Sequence, residues 1–297
     1  MKEKIKELIS IIEPLKKVNI SNNPSDGTIS IFMLPTSGRR YDREKFLSLV
    51  VEIAINFVLS EKTIANYLSK ENYMKMSNSV REKFRTKENN SGEFGELLLY
   101  TLLEGDLNAK RVLCKYELKT NGNHYVFGSD GIHFLKVSDN SYHLIFGESK
   151  MYKELSCGLI EAFKTLDEFV KNNKINCEKE LISSHIDEIE LDAEEKEILS
   201  NLLIPSKTKI SNNVIDAFSI FVGFNIDISK EIESCTEENF KEIIKSKINN
   251  ELKNLEGSVY KKLKKRKNLF GHNFYIYLLP FDNKEEWNKK FMELISK

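Results

Sequence analysis

Cysteine is scarce in this chain, and its four residues (Cys114, Cys157, Cys177 and Cys235) are scattered with no CxxC pair. That argues against a zinc site and suits a reducing cytoplasm. Long apolar runs are missing too: none approaches the roughly 20 residues that a membrane-spanning helix needs. The amino terminus, Met1 to Lys6, is charged and helical in pattern, unlike a secretory signal. Net charge is absent, with 45 Lys and Arg against 45 Asp and Glu. The molecule as a whole therefore lacks the electrostatic signature of a stand-alone DNA binder, since phosphate neutralisation dominates such affinities. A local basic patch, or a partner that carries the DNA, could still serve. There is no Walker A pattern, so any ATP-driven step has to come from elsewhere. Ser/His/Asp catalysis finds no nucleophile motif, and Cys157 has no evident histidine partner. What remains is an ordinary globular composition with ample material for a buried core: 297 residues, 40% hydrophobic and 30% charged. A cytoplasmic protein without a membrane partner is expected.

Hydrophobic periodicity divides the chain into three segments. Residues 1–90 open with an amphipathic helix over 1–17 that ends near Pro14. A turn at 22–27 leads to an alternating strand, Thr28–Leu34, and helices follow at Asp42–Leu59 and about Glu61–Ser69. From Glu71 to Asn90 charge dominates, which reads as a linker or exposed loop. Residues 91–225 form the central block. A nearly all-apolar helix, Glu93–Leu103, ends at Gly105, and strands are expected at Arg111–Leu118, His124–Phe127, Ile132–Val137 and Tyr142–Phe146. Turns fall at Asn121-Gly122-Asn123 and at Ser138–Ser141. A helix over 155–172 comes next, then an acidic helical stretch, Glu178–Leu203, that reads as a surface excursion. Ala217–Phe224 closes the block as a strand buried on both faces. Residues 226–297 add a helix near Thr236–Leu255, a basic run at 261–267, a strand at Phe274–Leu279 stopped by Pro280, and a last helix containing Trp287. This extension is expected to belong to the same compact unit as the core.

Chemistry concentrates in Gly128-Ser129-Asp130-Gly131-Ile132-His133 and Phe146-Gly147-Glu148-Ser149-Lys150. With the hairpin turn centred on Asp139-Asn140, Asp130 falls opposite about Ser149, within reach of Glu148 and Lys150. Glu148 and Lys150 are two apart on one strand and point to the same face. Two carboxylates can hold a hard divalent cation, Mg²⁺ or Mn²⁺, with waters completing its shell. Such an ion activates a water and stabilises charge on a phosphoryl group, and a neighbouring lysine offsets the rest. Gly131 and Gly147 leave room for a close backbone approach. The plainer alternative is a turn-capping Asp130 and an exposed Glu148–Lys150 ion pair. Asp plus ExK at matched hairpin positions between two apolar helices favours the site. Glu96 is a further candidate ligand, with Glu93 its alternative; either could instead be a favourable acid in a first helical turn.

The order helix, three strands, helix, strand resembles the restriction-endonuclease-like PD-(D/E)xK fold, an α/β (α+β) mixed sheet flanked by helices. More narrowly, Gly92-Glu93-Phe94-Gly95-Glu96, the two motifs above, Phe221–Phe224 and Leu278–Phe281 resemble the HamA family, nuclease effectors of the Hachiman anti-phage defence system. The resemblance implies Asp130, Glu148 and Lys150 as catalytic residues, with Glu96 as the helix acid and Asp130, Glu148 and Glu96 as metal ligands. It implies a Mg²⁺-dependent deoxyribonuclease, endonuclease or nickase, acting on DNA in a heterodimer with HamB, a superfamily 2 helicase. Ser129 stands where the motif name has proline. The alternative is a catalytically inactive nuclease-fold module that bridges a helicase to DNA or another factor. Two features stay open: His133 is a structural histidine or approaches substrate from the rim. The 261–267 run is a solvated helix end, a helicase contact or a phosphate binder.

Overall fold

Seven strands form one mixed sheet that draws on all three segments of the chain. The computed structural model describes residues 2–22, 25–84, 92–118, 128–203 and 213–296. The strands are β1 (Glu13–Asn22), β2 (Ser25–Met33), β3 (Lys110–Arg111), β4 (Gly131–Ser138), β5 (Ser141–Met151), β6 (Asn213–Asn225) and β7 (Asn273–Phe281). Across the sheet they lie in the order β1-β2-β7-β6-β5-β4-β3. β2, β7, β6 and β5 run parallel, while β1 and the β4–β3 edge are antiparallel. The parallel centre explains the unbroken apolar run of β6: Ala217, Phe218, Ile220, Phe221 and Val222 are all buried, because helices cover both faces.

One helical layer contains α1 (Lys2–Ile11), α2 (Arg43–Val58), α5 (Gly92–Gly105) and α13 (Lys284–Ile295), with α5 lying on β5 and β6. The other is built on α7 (Leu155–Lys171), which packs on the opposite face of the same two strands and carries α8 (Lys174–Ser184) and α12 (Leu255–Lys264). Side-chain alternation shows which residues meet which layer. A Cβ on Gly147 would come 2.9 Å from Leu99 of α5, and one on Gly95 of α5 would come 3.3 Å from Ser149 Oγ. Gly147, Ser149 and Met151 therefore face α5. Val222, the register partner of Lys150, lies under Gly158 of α7, so Glu148 and Lys150 belong to the α7 face.

The remaining helices are α3 (Glu61–Ser69), α4 (Tyr73–Lys83), α6 (Lys115–Leu118), α9 (Ala193–Leu203), α10 (Ser229–Ser234) and α11 (Glu237–Glu251). Asp42 caps α2 by accepting from the Lys45 N–H at 3.1 Å. The other end of α2 is closed by buried Arg111, which donates to the Asn56, Phe57 and Leu59 carbonyls and pairs with Glu190 at 2.9 Å.

Several expectations need correction. The first helix stops at Ile11, and Pro14 falls inside edge strand β1, at a register shift between Pro14 and Lys16 where a proline is tolerated. Residues 73–83 are helical, not linker: Met76, Val80 and Phe84 recur every fourth residue, and Val80 and Phe84 are buried. Arg111–Leu118 is strand only at Lys110–Arg111 and then a helical turn, because Arg111 to Tyr116 are all buried and the apparent alternation reflected no sheet face. Glu178–Leu203 is no surface excursion; Glu178, Ile182, Ile198 and Leu199 are buried. The helix expected to run to Leu255 breaks at Leu252, and α12 begins separately. Strand β7 continues through Pro280, beyond Leu278, its last partner to β2. The turn at 121–123 and the strand at 124–127 lie outside the described residues, as do residues 85–90.

Trp287 fixes the carboxy-terminal helix to this core. It is fully buried, 5.5 Å from the Phe46 ring and 5.4 Å from that of Phe281, with Arg43 over its face at 5.2 Å. We expect Trp287→Ala to cost about 3–5 kcal/mol, read as a lower urea midpoint; an unchanged midpoint would show that this helix is not part of the cooperative core.

Candidate active site

The β4–β5 hairpin turns at Asp139-Asn140, as its sequence requires, but a register shift between Lys136 and Ser138 moves every pair along by one. Gly131 pairs with Gly147, which sets Asp130 opposite Glu148 rather than Ser149. β4 ends there, and Asp130 takes over its ladder. Its backbone N–H donates to the Gly147 carbonyl at 2.8 Å, and its Oδ2 accepts from the Ser149 N–H at 2.6 Å and Ser149 Oγ at 2.9 Å. One carboxylate oxygen is thus spent holding β5 in place, which leaves Oδ1 for other work.

Glu148 is only 5% exposed and forms an ion pair with Lys150, which is partly open to solvent. The exposed surface pair of the plainer alternative is therefore not what forms. Burial, and then the nearby Asp130 charge, push the Glu148 carboxyl up to about 8, against the pull of Lys150 and Thr165. Burial also raises Asp130, opposed by its bonds from Ser149 and by the Lys150 and Lys115 charges. Burial works against the Lys150 ammonium, yet Glu148 and Asp130 hold it above its usual range. A buried Glu148 and a half-buried Asp130 that repel each other beside Lys150 are short of positive charge. A divalent cation supplies that charge, and two carboxylates with waters suffice for Mg²⁺. Asp130 and Glu148 therefore fit such an ion.

Glu96 is placed differently. Its Oε2 accepts from the Tyr116 hydroxyl at 2.7 Å, and it shares with Asp130, Lys115 and His133 a cavity of about 20 Å³, room for one water. Glu93 is buried one helical turn earlier, and its charge also acts on Tyr116. Among the described residues no three carboxylate, histidine or cysteine side chains gather as a metal cage, so Asp130, Glu148 and Glu96 do not form one together. His133 is a core residue. It is 2% exposed, 6.0 Å from the Tyr100 ring, with neither ring nitrogen bonded to any described residue, and burial holds it neutral with a pKa of about 3. The space expected at Gly147 for a substrate backbone is filled by Leu99 of α5.

Sequence reading missed the groups that aim Asp130. Buried Lys115 donates to the Ser129 carbonyl at 2.8 Å and pairs with buried Glu178, whose Oε1 accepts from the Ser129 N–H at 2.7 Å. Gly128 makes this possible: its φ is +133°, and a Cβ there would lie 1.9 Å from Glu178 Oε1. No local pattern announces a pair 63 residues apart. The signal available was an acid, Glu178, at a position flanked by apolar core spacing.

Fold and cluster together define a class: a mixed α/β protein whose sheet carries an acid–acid–lysine group where its hairpin ends. Within that class the HamA family model matches residues 9–295. The chain belongs to the HamA family and is a component of the Hachiman anti-phage defence system. No curated protein matches it. No helix among the described residues is long and apolar enough to cross a membrane.

The Glu148 carboxyl has a consequence for stability. Folded, it keeps a proton that the unfolded chain, with its value near 4.5, has released, so stability falls as pH climbs towards 8. His133 has the opposite sense, but only below its unfolded value of 6.5. Without divalent cation, wild-type protein should lose about 2 kcal/mol relative to Glu148→Gln between pH 6.5 and 8. Urea titrations across that window test this; parallel curves would refute the raised carboxyl.

Proposed function

We propose that this chain is a metal-dependent DNA nuclease, the cutting component of its Hachiman system, working in the cytoplasm under the control of a helicase partner. The observation that carries the reading is the pair of mutually repelling carboxylates, Asp130 and Glu148, beside Lys150 at the end of β4. Asp130 and Glu148 would hold Mg²⁺ or Mn²⁺, which when bound supplies an activated water and charge stabilisation for phosphodiester hydrolysis. The residues of the chain do the positioning. Ser149 holds Asp130 through one oxygen, beside the register position of Glu148. Lys150, more open than the Glu148 it pairs with, would set its ammonium where a phosphate approaches and offset charge that builds there. The partner follows from what the sequence lacks: with no Walker A pattern, ATP-driven strand opening must come from a second subunit, and the family suggests a superfamily 2 helicase.

Two measurements test this. Mg²⁺ at ten times its Kd should stabilise wild-type protein by about 1.4 kcal/mol, seen as a raised melting temperature that Asp130→Asn and Glu148→Gln both lose. A shift that survives in either variant would place the ion elsewhere. In the purified complex with its helicase and ATP, Glu148→Ala and Lys150→Ala should each slow plasmid cleavage by about 100-fold or more while folding normally. Cleavage retained by either would end the nuclease reading and favour a bridging module.

A further inference from the structure

Charge in this chain is balanced overall but not locally. From Lys261 to Lys267 there are six cations in seven residues and no acid. Elsewhere cations sit against carboxylates: Lys241 and Lys245 on Glu13, Lys247 on Glu231, Lys110 on Asp192 and Glu195. The run differs. Its contacts are with a hydroxyl, carbonyls and rings: Lys262 with Ser258 Oγ at 2.6 Å, Arg266 with the Lys262 and Ile160 carbonyls at 2.8 and 3.2 Å, and Lys264 over Tyr260 at 5.9 Å. Lys261, Lys264, Lys265 and Lys267 are exposed, while Leu263 anchors the turn in the core. The crowding is felt within the run: burial lowers the Lys262 ammonium, and the Arg266 and Lys265 charges lower it further.

Its place in the fold gives the charge a direction. The run forms the last turn of α12 and the short turn after it, packed along α7. Lys262 lies near Cys157 in the first turn of α7, Arg266 bonds Ile160, and Asn268 bonds Asp167 at 3.1 Å, so the run tracks α7 from its amino-terminal end. α7 follows directly on β5 and covers the sheet face that carries Glu148 and Lys150. Between the foot of α12 and the ends of β5 and β6 lies a cleft of about 450 Å³. Its lining mixes the acids Glu154, Asp227 and Glu251 with Lys153 and Lys253, whereas the neighbouring run carries cations and no acid.

We propose that the 261–267 run is a backbone clamp for duplex nucleic acid, holding it along α7 so that a phosphodiester reaches Lys150. The proposal rests on the nuclease reading for its purpose, but not for its test. Binding of a fluorescein-labelled, mixed-sequence DNA duplex is measured by anisotropy with the full chain, without divalent cation, so the result is independent of cutting. Replacing the four exposed lysines (Lys261→Gln, Lys264→Gln, Lys265→Gln, Lys267→Gln) should weaken binding at least tenfold near 0.1 M salt and flatten the log–log salt slope by roughly three. A charge-matched control on α2, α3 and α4, which pack together away from α7 and α12 (Lys45→Gln, Lys62→Gln, Lys70→Gln, Lys75→Gln), should stay within about threefold. Equal loss in both sets, no loss in the first, or no salt-dependent binding by wild type would overturn the clamp. So would a first set that keeps DNA affinity but no longer binds the helicase, which would make the run a protein contact.

Discussion

The buried pair of Lys115 and Glu178, closed around Ser129, is the constraint on which the candidate site depends. Neither side chain reaches solvent appreciably. Taking both charges out of water costs several kcal/mol per ion, and their attraction returns little beyond that. What the pair supplies is position. It pins the Ser129 backbone from two sides, and it does so only because Gly128 adopts a conformation closed to other residues. With Ser129 fixed, Asp130 has one place to go: against the Ser149 N–H, where β4 has run out and β5 would otherwise have an open ladder position.

From that point electrostatics takes over from geometry. Asp130 sits beside Glu148 because the hairpin register says so, and the two acids repel in a medium that screens them poorly. Lys150 and, for Asp130, Lys115 favour the charged forms, yet both carboxyls stay raised. A purely structural protein has little use for such an arrangement, since an apolar pair of similar volume would serve stability as well or better. The site is therefore a place where the fold tolerates a deficit of positive charge, which the proposed cation would fill.

Much of this was legible in the sequence, for identifiable reasons. The hairpin announced itself through alternation and a strong turn, and β6 through its unbroken apolar run. Helices α2, α3, α5 and α7 showed their periodic faces. The exact opposition of Asp130 and Glu148 was not legible, because a single bulge at Val137 shifts the register and nothing in its side chain marks it. Lys115 and Glu178 were hidden because their partnership is made by tertiary packing across 63 positions. Helix α4 was masked by surface charge, which outnumbered the few residues, Val80 and Phe84 among them, that face the core. Glu96 was correctly seen as an acid on the first helix of the central block. Its commitment to Tyr116, however, depends on a segment read as strand that instead turns into α6.

A net charge of zero counts modestly against a stand-alone DNA binder, but a sum over the molecule is a coarse guide to local binding. At physiological salt a charge is felt over about 8 Å, so a phosphate responds to its neighbours and not to a sum over the molecule. The folded chain separates its signs. Acids of α9 and the preceding loop are drawn to Lys110 at the β3 edge, whereas the 261–267 cations lie along α7 with no acidic ion-pair partner among the described residues. Glu148 is sealed and Lys150 partly open, so the proposed phosphodiester would meet Lys150 before Glu148. The opening hairpin and the basic run, far apart in sequence, are thus brought to one helix, and it is α7 that connects where a backbone would be held to where it would be cut.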